Sequence, residues 1–221
     1  MPLPRYINVM SIFSKFLLAL FLLTSLPFSQ TADGQEIIAE TTPVNAWSAA
    51  LIESARSQVG VTLIYDGSYQ SLPFPNGDIP RLRGVCTDVV IRAMRDAHGL
   101  DLQALVNRDM KANFSAYPKI WGLSRTDRNI DHRRVPNLQT YFKRRGASVP
   151  VTDDATDYLP GDLVTWMLPG NLPHIGIVTD RMNGDATRPL IVHNIGWGTR
   201  VNDMLFEYDI TGHYRIDAVL E

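Results

Sequence analysis

The order in which two periodicities occur along the chain is its strongest constraint on the fold. Up to residue 146 apolar residues recur at helical spacing in four blocks; beyond residue 160 they crowd into short β-branched and aromatic runs. The first block, 44–59, carries Trp47, Ala50, Leu51 and Ala55 on one side and stops at Gly60. The second carries Val89, Val90, Ala93, Met94 and Ala97 and stops at Gly99; the others cover 101–114 and 133–146, the last beginning near Pro136 and stopping at Gly146. The runs GDLVTWM (161–167), HIGIVTD (174–180), LIVHN (190–194) and HYRIDAVL (213–220) are separated by Pro-Gly, Asn-Gly and Thr-Gly, which predicts antiparallel strands. Helices first and strands later, without βαβ alternation, predict an α+β fold with N-terminal helices on a C-terminal antiparallel sheet.

Residues 1–32 stand apart. Arg5 and Lys15 precede the apolar run 16–28, and the chain then turns polar, the pattern of a secretory signal peptide. The run is short for a membrane span, so a membrane anchor is expected only if the signal stays uncleaved. Residues 33–221 are then expected to form one domain, secreted or periplasmic. With 21 basic and 23 acidic residues the chain has no excess of positive charge with which to neutralise phosphates, which argues against nucleic acid as a partner.

The chain has one cysteine, Cys86, and so cannot close an internal disulfide in an oxidising compartment. The spacing places it in the first turn of the second helix, where free backbone N–H groups and the helix dipole favour a thiolate. A buried, inert thiol is the competing expectation. Asp88, one turn in, suits a helix cap or a partner for a loop arginine such as Arg83 better than a catalytic part, because a carboxylate there raises the thiol pKa. The loop 62–84, broken by Pro73, Pro75, Asn76-Gly77 and Pro80, leads into Cys86. Its Tyr65 and Asp78 are candidate substrate-binding residues, as is Arg133 in the charged stretch 121–134, since a guanidinium offers a planar fork to carboxylates.

If 174–180 and 190–194 form a hairpin pairing residues near 179 with residues near 188, His174 lies opposite His193 and both point to one face. A one-residue slip would bring in Asn194 instead. A thiol, a histidine base and a group that orients the base are the minimum apparatus for covalent acyl transfer. Cys86, His174 and His193 are the catalytic candidates, with Asn194 as the alternative orienting residue and the Cys86 N–H as an oxyanion donor. The five histidines show no metal-site spacing, and neither HExxH, CxxC nor a glycine-rich phosphate loop occurs, so no metal or cofactor is expected.

The series GVCTDVVIRA, PGDLVTW, PHIGIV and a following strand with His193 resembles the NlpC-type cell-wall cysteine peptidases of the papain-like superfamily. More narrowly, YDGSYQSLPFPNGDIPRLRGVCTDVVIRA, IDHRRVPNLQTYF and PHIGIV are similar to a branch of exported bacterial proteins grouped only as a domain of unknown function. The resemblance covers nearly all of residues 44–220. It implies a papain-like fold, a nucleophile at Cys86, a base at His174, an orienting residue at His193, and peptidoglycan or another envelope acyl compound as substrate. The typical motif has an aspartate before the cysteine and a serine after it, where this chain has Val85 and Thr87, so substrate preference does not carry over with the motif. Amide hydrolysis, acyl transfer to another acceptor, and ligand binding without turnover are all open to this residue set.

Overall fold

A computed structural model describes residues 44–216. The expected signal peptide, residues 1–32, lies outside the described residues. The four helices form where the periodicity places them: α1 at Ala46–Arg56, α2 at Cys86–His98, α3 at Leu102–Ala112 and α4 at Val135–Arg144. Their ends follow local chemistry. The Asn45 side chain accepts the Ser48 N–H at 2.8 Å and Asp101 accepts that of Gln103 at 3.0 Å, so each caps a helix. Gly99 ends α2 in the left-handed conformation (φ 67°), a backbone state that glycine adopts without the Cβ penalty.

Two short strands, β1 (Ile64–Tyr65) and β2 (Arg83–Gly84), pair in parallel within the loop before α2. The main sheet contains β3 (Ser148–Val149), β4 (Leu163–Leu168), β5 (Leu172–Met182), β6 (Pro189–Asn194), β7 (Thr199–Asn202) and β8 (Asp209–Tyr214), in the order β3-β8-β4-β5-β6-β7. Every pairing in it is antiparallel. The architecture is therefore α+β, helices preceding an antiparallel sheet.

Both faces of the sheet are covered, which explains why its strands read as nearly continuous apolar runs. Leu163, Ile175, Ile177 and Val192 pack with Leu51, Val89, Val90, Ala93, Leu138 and Phe142 of the helices. Val164, Trp166, Val178 and Ile191 pack on the other side with Tyr158, Met204 and Leu205. The Trp166 indole N–H donates to the Leu205 carbonyl at 2.9 Å, so the second core keeps its one large polar handle satisfied.

Two expectations need correction. The last strand among the described residues is Asp209–Tyr214, which starts earlier than the expected 213–220, and residues 217–220 lie outside the described residues: Gly212, within the Thr-Gly taken as a turn signal, sits inside β8, where the pairing with β4 shifts between Thr165 and Trp166. A glycine at a bulge stays in its strand. The β5–β6 register also differs. His193 lies opposite Gly176, not His174. β5 runs on to Met182, opposite Pro189, and an irregularity between Val178 and Met182 shifts the pairing. The shift amounts to two residues, so facing is preserved and the histidines still share a face as diagonal neighbours.

Candidate active site

The site lies where the start of α2 meets the sheet. Cys86 is 4% exposed, and the backbone N–H of Ile175, the residue after His174, acts to favour its thiolate. Pairing of β5 with β6 begins at Gly176, so β6 does not accompany β5 at Ile175. The N–H groups of Cys86 and Thr87 act in the same sense, as the free donors of a helix start do. Tyr65, delivered by β1, lines the same cavity as Cys86 from the loop side.

Behind the thiol a row of polar side chains crosses three strands. His174 Nε2 lies 2.9 Å from His193 Nδ1, and His193 Nε2 lies 3.1 Å from Asn202 Oδ1. His174 pairs across β4 with Trp166, whose ring centroid is 5.9 Å from its own. The glycine opposite His193 makes room for the row: a Cβ at Gly176 would come within 2.6 Å of Ile191 Cγ2 and 3.1 Å of His193 Cβ.

Burial governs the protonation of the site. It is the main cause that pushes the Cys86 thiol up to about 11, against the lowering effect of the Ile175, Thr87 and Cys86 N–H groups, and the Asp88 charge adds to the rise. It holds His174 down to about 3, with the neighbouring His193 adding to the effect, and His193 down to about 4. Burial thus favours a neutral thiol at Cys86 and a neutral imidazole at His174, against the thiolate that the helix start alone would favour. Desolvation outweighs the helix terminus here because the sulfur is covered by the sheet and Tyr65.

These shifts carry a stability prediction. His132, also buried, is held down to about 4, chiefly by desolvation. The folded-state pKa values of His132, His174 and His193 all lie below the unfolded 6.5, so their stabilising contribution is complete above about pH 6.5 and is lost as pH falls through 4 to 3. Each shift is worth on the order of a few kcal/mol. Asp131, raised to about 6 by burial, works in the opposite sense, its stabilisation being lost as pH rises through 6. With three rings against one carboxyl, the urea midpoint should fall steeply between pH 6.5 and 4; an unchanged midpoint would contradict the buried neutral histidines.

A cavity of about 470 Å³ opens beside Cys86, lined among others by Tyr65, Trp121, Ile130, Arg134 and Pro136. A larger cleft of about 870 Å³, around Tyr69, Lys111 and residues 123–129, does not include the thiol.

Residues 52–216 match the model of a family described as a domain of unknown function, DUF1287. The chain belongs to the DUF1287 family. The uncharacterized protein YijF of Escherichia coli (strain K12) is 51% identical over 166 residues, covering 75% of this chain and 80% of that protein. The matched segment of this DUF1287 chain holds Cys86, His174, His193 and Asn202 together.

Of the three candidate substrate-binding residues, Tyr65 and Arg133 line the cavity and Asp78 does not; Asp78 and the Arg133 guanidinium both do structural work. Asp78 binds the buried Arg92 through both oxygens at 3.0 Å and meets Arg95 at 3.4 Å, which ties the loop to α2. Arg133 turns inward. Its Nε and Nη2 donate to the two Asp88 oxygens at 2.9 Å each, and Nη2 and Nη1 reach the carbonyls of Asp66 and Ser68. Asp88 meanwhile accepts the Val85 N–H at 2.7 Å, so it is both a helix cap and an arginine partner, but for Arg133. Arg83 binds Asp66 instead, at 3.1 Å. Asn194 is likewise not the orienting group: its Nδ2 donates to the Gly84 carbonyl at 3.1 Å, and His193 occupies the place beside His174.

Sequence reasoning in this DUF1287 chain placed Arg134 only among the charged residues of 121–134 without singling it out, and missed Asn202. Arg134 lines the cavity, stacks over Trp121 with Cζ 4.1 Å from the ring centroid, and meets Asp131 at 3.4 Å. Asn202 belongs to the four-residue β7, whose signal was the Gly-Trp-Gly turn followed by the alternation Thr-Arg-Val-Asn.

Proposed function

We propose that this DUF1287 chain is an exported, papain-like cysteine hydrolase that cleaves an amide bond in peptidoglycan peptides or a related envelope compound. The observation that carries the reading is a thiol at a helix N-terminus, favoured as thiolate by the N–H of Ile175, which directly follows a histidine whose Nε2 is held by a second histidine. Export rests on the pattern of residues 1–32, and the envelope substrate on the resemblance of the GVCTDVVIRA and PHIGIV segments to NlpC-type peptidases.

In this mechanism the His174 nitrogen not bound to His193 takes the thiol proton as Sγ attacks the carbonyl carbon. The oxyanion is stabilised by N–H groups at the start of α2, that of Cys86 first. Collapse breaks the C–N bond, the amine leaves with the proton from His174, and water deprotonated by His174 cleaves the thioester to release the acid and restore the thiol. Because burial favours the neutral form of both partners, the proton moves to His174 together with the attack of Sγ, without a standing ion pair beforehand. In the cavity Tyr65 and Trp121 offer apolar surface with polar edges, and Arg134 offers a guanidinium to a carboxylate.

A second reading has its own support: a thiol 4% exposed and pushed up to about 11 suits a binding module of the same fold, in which Cys86 is only packing. Alkylation of Cys86 as a function of pH, wild type against His174→Ala, run beside digestion of cell-wall fragments read by mass spectrometry, separates the two. Hydrolysis expects new amine and acid termini and their loss in His174→Ala. Fragments bound but returned intact by both proteins would sink the hydrolase and leave the binding module. Product appearing only with an added amine would indicate acyl transfer.

A further inference from the structure

We infer that Asn202 is a positioning residue that sets the tautomer of both histidines and thereby makes His174 a base toward the thiol. The inference concerns the proposed reaction, but its geometric part stands without it. The structure places Oδ1 of Asn202, an atom that can only accept, 3.1 Å from His193 Nε2. His193 must therefore carry its proton on Nε2 and present a lone pair at Nδ1. That lone pair faces His174 Nε2 at 2.9 Å, so His174 must carry its proton on Nε2. Its Nδ1 is left unprotonated, the form a general base needs. Reversing the Asn202 amide would reverse every step, since an NH₂ facing His193 Nε2 forces Nδ1–H on His193 and Nδ1–H on His174. The choice made at the edge of the sheet thus passes through two rings to the His174 nitrogen that the proposed reaction uses as its base.

The register explains why this residue alone can act so. Asn202 pairs with Ile191 across β6–β7, and His193 pairs with Gly176 across β5–β6. Each step of the row His174, His193, Asn202 therefore moves two residues along its neighbour, keeps the same face, and joins diagonal neighbours. Arg200, directly opposite His193, cannot replace it: a guanidinium only donates. The charges acting on His193 are those of Glu207, which favours its protonation, and Arg200, which opposes it. Asn202 is exposed and outside both apolar cores, so its replacement tests the row and not the core.

Long-range ¹H–¹⁵N correlation spectra of the imidazoles of the exported form of the protein at pH 7 report the tautomers directly. The expected wild-type pattern is Nε2–H for both His174 and His193. Asn202→Leu should lose the single pattern, whereas Asn202→Asp, which keeps an accepting oxygen, should retain it. Wild type with Nδ1–H on His174, or an unchanged pattern in Asn202→Leu, overturns the inference whether or not hydrolysis is ever detected. Where hydrolysis is measured, Asn202→Leu should lower kcat about tenfold to a hundredfold at unchanged KM, part of the 10²–10⁴ that a positioned base contributes, and Asn202→Asp should restore most of it. A loss shared equally by both variants, with the tautomers unaltered, would mean that Asn202 only shapes the strand.

Discussion

Replacement of Cys86 by Ala should reduce hydrolysis of cell-wall fragments by at least about four orders of magnitude while leaving the protein folded. The loss is large because nucleophile and base act as one unit: without the sulfur, His174 has no proton to take and no covalent intermediate forms. The cost to folding should be small. Cys86 is buried against Val89 and Val90 in the helix-side core, and one sulfur atom exchanged for a small void costs about 1 kcal/mol. Rates should therefore be compared on samples matched by urea midpoint and circular dichroism. Full activity in Cys86→Ala would refute a thioester mechanism outright. Cys86→Ala that still binds the fragments, next to a wild type that cleaves them, would assign binding to the cavity and chemistry to the thiol.

Arg133→Met should destabilise the protein by about 3–5 kcal/mol, the usual consequence of leaving one partner of a buried ion pair alone. The Arg133 and Asp88 side chains are 2% and 4% exposed, so solvent cannot rescue the remaining carboxylate. The same guanidinium holds the carbonyls of Asp66 and Ser68, and its loss also frees the loop that carries Tyr65. The control is the double variant Asp88→Leu with Arg133→Met. Removing both charges should recover most of the loss, short of about 1 kcal/mol for the cap that Asp88 supplies to the Val85 N–H. Chemical denaturation of the three proteins measures this directly. A single variant as stable as wild type would mean that Asp88 stays solvated or protonated, and would return Arg133 to the list of groups available to substrate.

The fate of the two neighbouring arginines shows where sequence reading stopped. Both arginines line the cavity, yet the Arg133 guanidinium is buried against Asp88 while that of Arg134 lies over Trp121. Consecutive residues at a short 3-10 turn (Asp131–Arg133) diverge, and nothing in their identity says which way. The helices were legible because local signals mark them: an apolar stripe in each, a capping side chain at α1 and α3, a proline at the start of α4, and a glycine at or just beyond the end of α1, α2 and α4. Cys86 at the start of α2 followed from the same signals. The shared face of His174 and His193 was legible too, because facing depends only on odd or even spacing, and the true register differs by two. The register itself was not, since it depends on where β5 ends. The strand continues through Arg181 and Met182 to a turn fixed by Asn183, whose N–H donates to the Arg188 carbonyl and whose side chain accepts the Thr187 and Arg188 N–H groups. Asn202 escaped because β7 is four residues long and its meaning lies in what it stands beside.

The loop before α2 is stapled to the far end of the chain. Asn194 donates to the Gly84 carbonyl across 110 residues of sequence, and the Thr199 N–H donates to the Thr62 carbonyl at 2.9 Å. On the ribosome, Cys86 emerges long before β5, β6 and β7. A chain halted after α4 possesses the helix and the thiol but neither imidazole, nor the strand whose N–H favours its thiolate. Its cysteine has only the reactivity of any cysteine on an unfolded chain. Synthesis in this order means that the residues proposed for catalysis can come together only once the last strands dock, and that a truncated product lacks the proposed base.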